Sequence, residues 1–161
     1  MNYDVVVMGS GGAGLTAALV AAKAGLKVAV LEKSERFGGT TAISGGGLWI
    51  PGSPQARAAG VDDSAEIARN YALAVVGNRA ERALIDAYID NGPVMVEWLE
   101  ANSDVHFALS PPSCDWYPEV EGAAEHGRLL APMEYDGKQL GNDFDRLSRP
   151  REEFNAPGGM M

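Results

Sequence analysis

The sequence is poor in cysteine and in basic residues, and each shortage excludes a class of function. Cys114 is the only cysteine among 161 residues, so no disulfide can form within the chain. Together with the lack of a basic leader before Tyr3, this predicts a cytoplasmic protein. The 13 lysines and arginines against 22 aspartates and glutamates give a net charge of −9. Nucleic acids and anionic membranes attract basic patches, so neither is an expected partner. No apolar run approaches the roughly twenty residues of a membrane span.

Glycine, in contrast, is abundant: there are 20, concentrated in the first sixty residues. The first glycine cluster lies between two short apolar runs, residues 3–8 and 26–31, each typical of a buried parallel strand. Residues 15–24 are rich in alanine and leucine and predict a helix, with Gly25 at its C-cap. This order predicts a βαβ unit with a right-handed crossover, and hence a Rossmann-like α/β fold.

The turn of this unit follows the G-x-G-x-x-G pattern, which holds a dinucleotide when it joins a strand to a helix. Gly9 permits the tight turn, Gly11 lets the backbone approach a pyrophosphate, and Gly14 allows close packing of the helix on the strand. The helix N-terminus stabilises the phosphates through its N–H groups and dipole. Glu32 ends the second strand, 18 residues after Gly14, where its carboxylate can accept hydrogen bonds from both hydroxyls of an adenosine ribose. The expected cofactor contacts of the turn are Gly9, Ser10, Gly11, Gly12, Ala13 and Gly14.

A second glycine-dense stretch covers residues 38–47, with the sequence Gly-Gly-Thr-Thr-Ala-Ile-Ser-Gly-Gly-Gly. So few side chains cannot fill the space beside the backbone, and a ligand is expected there. The G-x-G-x-x-G pattern alone leaves NAD and FAD open. An NAD-dependent dehydrogenase would not require the second stretch, which therefore favours FAD.

Glu32-Lys33 and the stretch over residues 38–47 resemble the fumarate reductase/succinate dehydrogenase-like flavoproteins, and among them the 3-ketosteroid Δ1-dehydrogenases. The resemblance implies FAD as the cofactor, with Glu32 and Lys33 at its adenosine part. It also implies an approach to the diphosphate and ribityl chain by Gly39, Thr40 and Thr41. For the isoalloxazine, the implied neighbours are Ser44, Gly45 and Gly46.

Beyond the glycines, the sequence is expected to continue with helices. A helix capped by Asp63 or Ser64 is predicted to reach Val76. A second is predicted over residues 79–90, and Asn91-Gly92-Pro93 is predicted to separate it from a third. Residues 105–109 predict a strand, followed by irregular structure. The expected domains are an FAD-binding part (1–60), a helical segment packed on it (61–104), and the start of a substrate or cap region (105–161).

The resemblance to the steroid dehydrogenases extends to Cys114-Asp-Trp-Tyr-Pro-Glu119, which is similar to an Asp-Tyr-Tyr-Pro stretch that lines their substrate pocket. It implies that Tyr117 lies at the substrate and supports the reacting carbonyl. Trp116 replaces the family's tyrosine, so the steroid specificity stays open, and aromatic packing is the alternative role for both residues. The implied reaction is FAD-dependent dehydrogenation of a CH–CH bond next to a carbonyl in a small molecule, with a 3-ketosteroid as the candidate substrate.

No residue of this chain is assigned as the catalytic base, since His106 and His126 have no supporting context. The chain ends Phe154-Asn-Ala-Pro-Gly-Gly-Met-Met161, without a capped element, so the domain is expected to continue in a further segment or in a partner chain. By itself this chain is then expected to be inactive. The alternative is a non-catalytic FAD- or dinucleotide-binding module, or one subunit of a split flavoenzyme.

Overall fold

The computed structural model describes residues 2–150, 153, 155, 156, 159 and 160. The chain folds into two compact units. Unit 1 combines Met1–Gly46 with Asp136–Met161, and unit 2 is Gly47–Tyr135. Within the described residues, no helix is both long and apolar enough to cross a membrane.

Unit 1 begins with the predicted βαβ element. Strand β1 (Val5–Met8), helix α1 (Gly12–Lys23) and strand β2 (Val28–Leu31) follow in that order. The two strands are parallel, in a register that pairs Val5 with Val28 and Met8 with Leu31. The prediction is confirmed, although both strands are shorter than expected. The helix also begins three residues earlier, because Gly11 takes the extended N-cap conformation inside the glycine turn.

Unit 2 contains a three-stranded antiparallel sheet that the sequence predicted only in part. Its strands are β3 (Leu48–Trp49), β4 (Phe107–Leu109) and β5 (Leu129–Pro132), with β5 in the centre. Only β4 was predicted. Strand β3 begins directly after the glycine-dense stretch over residues 38–47, which itself contains a short 3₁₀ turn, Thr41–Ile43. Strands this short have too little alternation to be recognised before their partners are known.

Three helices complete unit 2: α2 (Pro54–Ala58), α3 (Ala65–Val76) and α4 (Arg82–Asn102). The prediction for α3 is confirmed, including its cap, since the Ser64 hydroxyl accepts a hydrogen bond from the Ile67 N–H at 3.1 Å. The core between α3 and α4 is formed by Ala68, Ile85 and Ile89, with Trp49, Ala72, Leu73, Val76 and Ala80 packed against it.

The predicted break at Asn91-Gly92-Pro93 is wrong, because α4 runs through Pro93 without interruption. The residue before a proline normally leaves the helical region because its Cβ clashes with the proline ring. Gly92 has no Cβ, and a Cβ there would lie 3.3 Å from Ile50 Cγ2, so the glycine also lets the helix pack closely. The buried residues on both sides of the proline, among them Ile89 and Val96, hold the two halves on one core.

The second segment of unit 1 returns to the βαβ element after unit 2. Residues Gly137–Arg146 form 3₁₀ turns with a kink at Gly141. Phe37 then pairs with Leu147 in a parallel bridge, in which the Phe37 N–H donates to Arg146 O at 3.0 Å and the Ser148 N–H donates to Phe37 O at 2.8 Å. Two two-residue strands, β6 (Asn155–Ala156) and β7 (Gly159–Met160), pair antiparallel. The prediction that the domain continues beyond this chain was based on residues 154–161. Of these, residues 154, 157, 158 and 161 lie outside the described residues.

Candidate cofactor-binding site

A groove of about 980 Å³ opens in unit 1 at the carboxyl ends of β1 and β2. In parallel α/β structures this is the edge of the sheet where ligands bind. The volume is at the upper end of the range for small-molecule sites. Its lining comes from the glycine turn, the end of β2, the second glycine stretch and the returning segment: Met8, Gly9, Ser10, Gly11, Leu31, Glu32, Lys33, Ser34, Arg36, Gly39, Thr40, Ile43, Ser148 and Arg149.

The glycine turn brings the N-terminus of α1 to this groove. A Cβ on Gly14 would lie 2.0 Å from Gly9 O, so only glycine allows the helix to start this close to the strand. The N-cap residue Gly11 has no side chain to accept from the first helical N–H groups, and the first turn carries no acidic residue. The Gly12 N–H donates to Thr41 Oγ1 at 2.9 Å. The partial positive charge of this helix end therefore faces the groove without a carboxylate of its own, as an anion-binding helix end requires.

Glu32 is the centre of the hydrogen bonds at the groove. Its Oε2 accepts from the Ser10 N–H at 3.0 Å and from the Ser10 hydroxyl at 2.5 Å. Its Oε1 accepts from the Ser34 N–H at 2.9 Å. These donors favour the ionised form, above all the Ser10 hydroxyl, and lower the pKa of Glu32 from 4.5 to about 2. The groove thus contains a carboxylate that is fixed in place and charged.

The second glycine stretch is joined to the same cluster. The buried Gly38 N–H donates to Ser10 Oγ at 3.0 Å. Gly39 has a φ of +54°, and a Cβ there would lie 3.2 Å from Gly11 Cα. Two turns that are separated by 28 residues therefore pack backbone against backbone, which requires glycine at the contact.

Two basic side chains at the rim, Arg36 and Arg149, were not predicted from the sequence. The Arg36 guanidinium donates to Asp145 O at 2.5 Å and to Leu147 O at 3.2 Å, and so fastens the returning segment to the groove. Arg149 lines the groove and pairs with Asp145 at 2.8 Å, both side chains being exposed. Among the residues that the structure describes, Lys33, Arg36 and Arg149 place positive charge at the groove of a chain whose net charge is −9. No sequence pattern indicates Ser148 or Arg149, which lie more than a hundred residues from the glycine turn.

Most of the residues predicted for the cofactor lie together in unit 1. Seven of them line the groove: Gly9, Ser10, Gly11, Glu32, Lys33, Gly39 and Thr40. Four others do not line the groove but adjoin residues that do. Gly12, Ala13 and Gly14 form the first turn of α1, and Thr41 accepts a hydrogen bond from the Gly12 N–H. Ser44, Gly45 and Gly46 follow the 3₁₀ turn, where the Ser44 hydroxyl donates to Thr41 O at 3.1 Å and accepts from the Gly46 N–H at 3.2 Å.

Tyr117 belongs to unit 2, where it lines a smaller apolar groove of about 250 Å³ with Trp49, Tyr71, Ala72, Val75, Val76 and Trp116. The Tyr71 hydroxyl accepts from the Tyr117 N–H at 3.3 Å, and burial raises the pKa of the Tyr71 phenol. The Trp116 side chain is 91% exposed, so packing within unit 2 does not account for it. Within unit 2, an apolar molecule with a flat ring would find aromatic side chains on this groove.

A buried ion network holds the segment that carries Trp116 and Tyr117. Arg128 binds Asp63 through Nε and Nη2 at 2.8 and 2.7 Å, and Asp115 through Nη1 at 2.7 Å. Asp115 also accepts from Trp49 Nε1 at 2.7 Å and from the Ala124 N–H at 3.0 Å. Burial alone lowers the pKa of Arg128, but its bonds and charge interactions with the two carboxylates outweigh this and raise the pKa above its usual value. None of this network was predicted from the sequence.

Comparison with known proteins agrees with the geometry of the groove. The sequence profile of the family described as FAD binding domain matches residues 4–156. The 3-oxosteroid 1-dehydrogenase of Mycobacterium tuberculosis is 43% identical over 91% of this chain and 26% of its own length. The 4-oxocyclohexanecarboxylate 2-dehydrogenase of Sinomonas cyclohexanicum is 42% identical over 99% of this chain and 28% of its own length.

Among solved structures, the chain is similar to the 3-ketosteroid delta1-dehydrogenase of Sterolibacterium denitrificans in complex with 1,4-androstadiene-3,17-dione, with a TM-score of 0.86 and 36% identity. The match covers 92% of this chain and 26% of that one. The chain thus spans about a quarter of the length of these relatives. The groove, its glycine turns and the profile match over residues 4–156 lead to one conclusion: this chain belongs to the FAD binding domain family of flavoproteins.

Proposed function

We propose that the groove of unit 1 holds the adenosine diphosphate part of FAD. Glu32 accepts from the adenosine ribose, and the N-terminus of α1 with the turn at Gly9 to Gly14 stabilises the diphosphate. The observation that carries this proposal is the fixed, ionised Glu32 beside a helix end that has no carboxylate of its own. An adenine dinucleotide needs an acceptor for its ribose and donors for its phosphates at this spacing, and the donor set therefore fits FAD.

The rest of the cofactor is proposed to follow the second glycine stretch. Lys33 would lie at the adenosine, Gly39, Thr40 and Thr41 at the diphosphate and ribityl chain, and Ser44, Gly45 and Gly46 at the isoalloxazine. Support comes from the family membership, and from the packing of Gly39 on Gly11, which joins the two stretches beside one groove. The hydroxyl and backbone donors at these positions add no bulk beside a flat ring.

For the protein as a whole, we propose an FAD-dependent dehydrogenase that removes two hydrogens from a CH–CH bond beside a ring ketone. The names of the two curated relatives given above each specify a molecule with an oxo group on a ring. The molecule is a steroid for one relative and a cyclohexanecarboxylate for the other. When bound, FAD supplies the acceptor for the hydride. Tyr117 is proposed to line the substrate site, since it lies on an apolar groove with Trp116 and Tyr71. We propose a reducing, cytoplasmic compartment because the one cysteine, Cys114, is exposed and free.

The activity is tested with the whole protein, under anaerobic conditions, by following the visible absorbance of its flavin. A 3-oxosteroid or 4-oxocyclohexanecarboxylate should bleach the flavin, and the matching ring without the ketone should not. The proposed reaction is contradicted if neither ketone reduces the flavin, or if the ring without the ketone reduces it as well as the ketone does.

The 161-residue chain by itself should bind FAD more weakly than the whole protein and should show no turnover. Stoichiometric flavin together with turnover in this chain alone would contradict that expectation.

A further inference from the structure

Ser10 occupies the second position of the glycine turn, where sequence patterns accept any residue. Ser10 is 2% exposed. Its N–H and its hydroxyl both bind the same carboxylate oxygen of Glu32. The N–H and the hydroxyl of Ser10 donate to Glu32 Oε2 at 3.0 and 2.5 Å. Neither donor therefore remains for a phosphate oxygen, so a hydrogen-bonding effect of Ser10 on a nucleotide passes through Glu32.

The Ser10 hydroxyl also joins three parts of the groove wall. It lies in the turn after β1, donates to the carboxylate at the end of β2, and accepts from the Gly38 N–H at 3.0 Å. A hydroxyl provides one donor and accepts through its lone pairs, so it can bridge a carboxylate and an N–H. Alanine would leave the Gly38 N–H, which is buried, without this acceptor.

The bonds to Ser10 also decide which part of Glu32 faces a ligand. An ionised carboxylate has about four acceptor positions. Ser10 fills two on Oε2, and the Ser34 N–H fills one on Oε1. The Lys33 N–H makes a further, weaker contribution to the carboxylate. Since Oε2 already holds both bonds from Ser10, Oε1 is the oxygen with acceptor capacity left for a ligand. Since Ser10 fixes Oε2, it also fixes the direction in which Oε1 can accept.

We propose that Ser10 is a positioning residue for ribose recognition: its hydroxyl orients the Glu32 carboxylate so that Oε1 accepts a hydroxyl of the adenosine ribose. The inference rests on the proposed function, because it takes the ligand of the groove to be an adenine nucleotide. The low pKa of Glu32 agrees with it, since the Ser10 hydroxyl is the largest cause of that shift. Ser10 would thus determine selectivity for the ribose hydroxyls without a hydrogen bond of its own to the nucleotide.

The test compares two probes, ADP and 2′,3′-dideoxy-ADP, whose only difference is the ribose hydroxyls. Their dissociation constants are measured by calorimetric titration of the whole protein, freed of its flavin, and of its Ser10→Ala variant. The wild-type protein should prefer ADP by about tenfold or more, as expected for a hydrogen bond to a charged acceptor. Ser10→Ala should lower this preference by about three- to tenfold, which lies within the range of coupling between directly interacting groups. The ratio of two affinities does not depend on the fraction of protein that is folded, so partial unfolding of the variant cannot produce the result.

Two further variants separate this inference from its alternatives. Thr41→Ala removes a hydroxyl that contacts α1 and not Glu32, so it should change both affinities by the same factor and leave the preference intact. Glu32→Gln should reduce the preference itself. If Glu32→Gln abolishes the preference and Ser10→Ala leaves it unchanged, the role of Ser10 is wrong while the proposed site stands. If the wild-type protein binds neither ADP nor FAD, or shows no preference for ADP, the proposed ribose site is wrong and the inference fails with it.

Discussion

Replacing Arg128 by methionine removes the cation from the buried network of unit 2. The Arg128 side chain is 2% exposed, and its two partners, Asp63 and Asp115, are 7% and 4% exposed. Methionine keeps an unbranched stem but ends before the guanidinium, so the substitution deprives two buried carboxylates of their counter-ion. Arg128 also lies over the rings of Trp49 and Tyr71, at 5.6 and 5.5 Å from their centroids, and this contact is lost as well.

The expected loss is large because unpaired buried charge costs more than a lost surface contact. Removing one partner of a buried ion pair lowers the free energy of unfolding by about 3–5 kcal/mol. Domains are stable by about 5–15 kcal/mol, so Arg128→Met should remove a substantial part of the stability of unit 2. For a chain of this size the loss corresponds to a decrease in melting temperature of roughly 6–20 °C.

Tryptophan fluorescence during urea denaturation measures this effect in the right unit. All three tryptophans, Trp49, Trp98 and Trp116, belong to unit 2. The matched control is Arg57→Met, which breaks an ion pair to Glu97 in the same unit whose side chains are 55% and 54% exposed. It should cost less than about 1 kcal/mol. Adding Asp63→Asn to Arg128→Met should recover part of the loss, because one buried charge is removed. A loss below about 1 kcal/mol for Arg128→Met, or no difference from the control, would refute the reasoning.

Three further predictions concern unit 1. Glu32→Ala should weaken FAD binding by about tenfold or more, since the ribose loses a charged acceptor; unchanged affinity by titration counts against the ribose assignment. Gly14→Ala should lower the free energy of unfolding by about 1–3 kcal/mol or more, because its Cβ would lie 2.0 Å from Gly9 O; circular dichroism during denaturation should detect this, and a wild-type midpoint contradicts it. Because the pKa of Glu32 is about 2 instead of 4.5, its contribution to stability is present above pH 4.5 and is lost only as the pH falls towards 2. FAD affinity should therefore show no midpoint near pH 4.5 that disappears in Glu32→Gln, and a midpoint that depends on Glu32 in this way would show that Ser10 and Ser34 do not hold the carboxylate.

The parts of the site that were predicted correctly depend on short-range sequence. Strand, glycine turn and helix are adjacent in the chain, and each has its own local signal, so the βαβ element and the position of Glu32 could be inferred. The bonds of Glu32 to Ser10 could not. They depend on the side-chain geometry of two turns that are 22 residues apart.

The failures have a common physical origin in contacts between distant parts of the chain. Pro93 stays inside α4 because Gly92 relieves the local clash and the core holds both halves, and propensity rules include neither effect. Arg149 reaches the groove only because Arg36 and Phe37 bind the returning segment. Such contacts override local preference, and a single sequence contains no pattern that reports them.

The claim that FAD binds in the groove of unit 1 is tested most directly by amide NMR of the protein during titration with FAD. The largest shifts should lie at the glycine turn, at Glu32 to Ser34 and at Gly39, and the same titration of Glu32→Ala should need a higher FAD concentration. Binding of FAD in this groove would be contradicted if the amide signals of Gly9, Ser10 and Gly11 stayed in place while signals elsewhere in the chain shifted. It would also be contradicted if no signal shifted at saturating FAD.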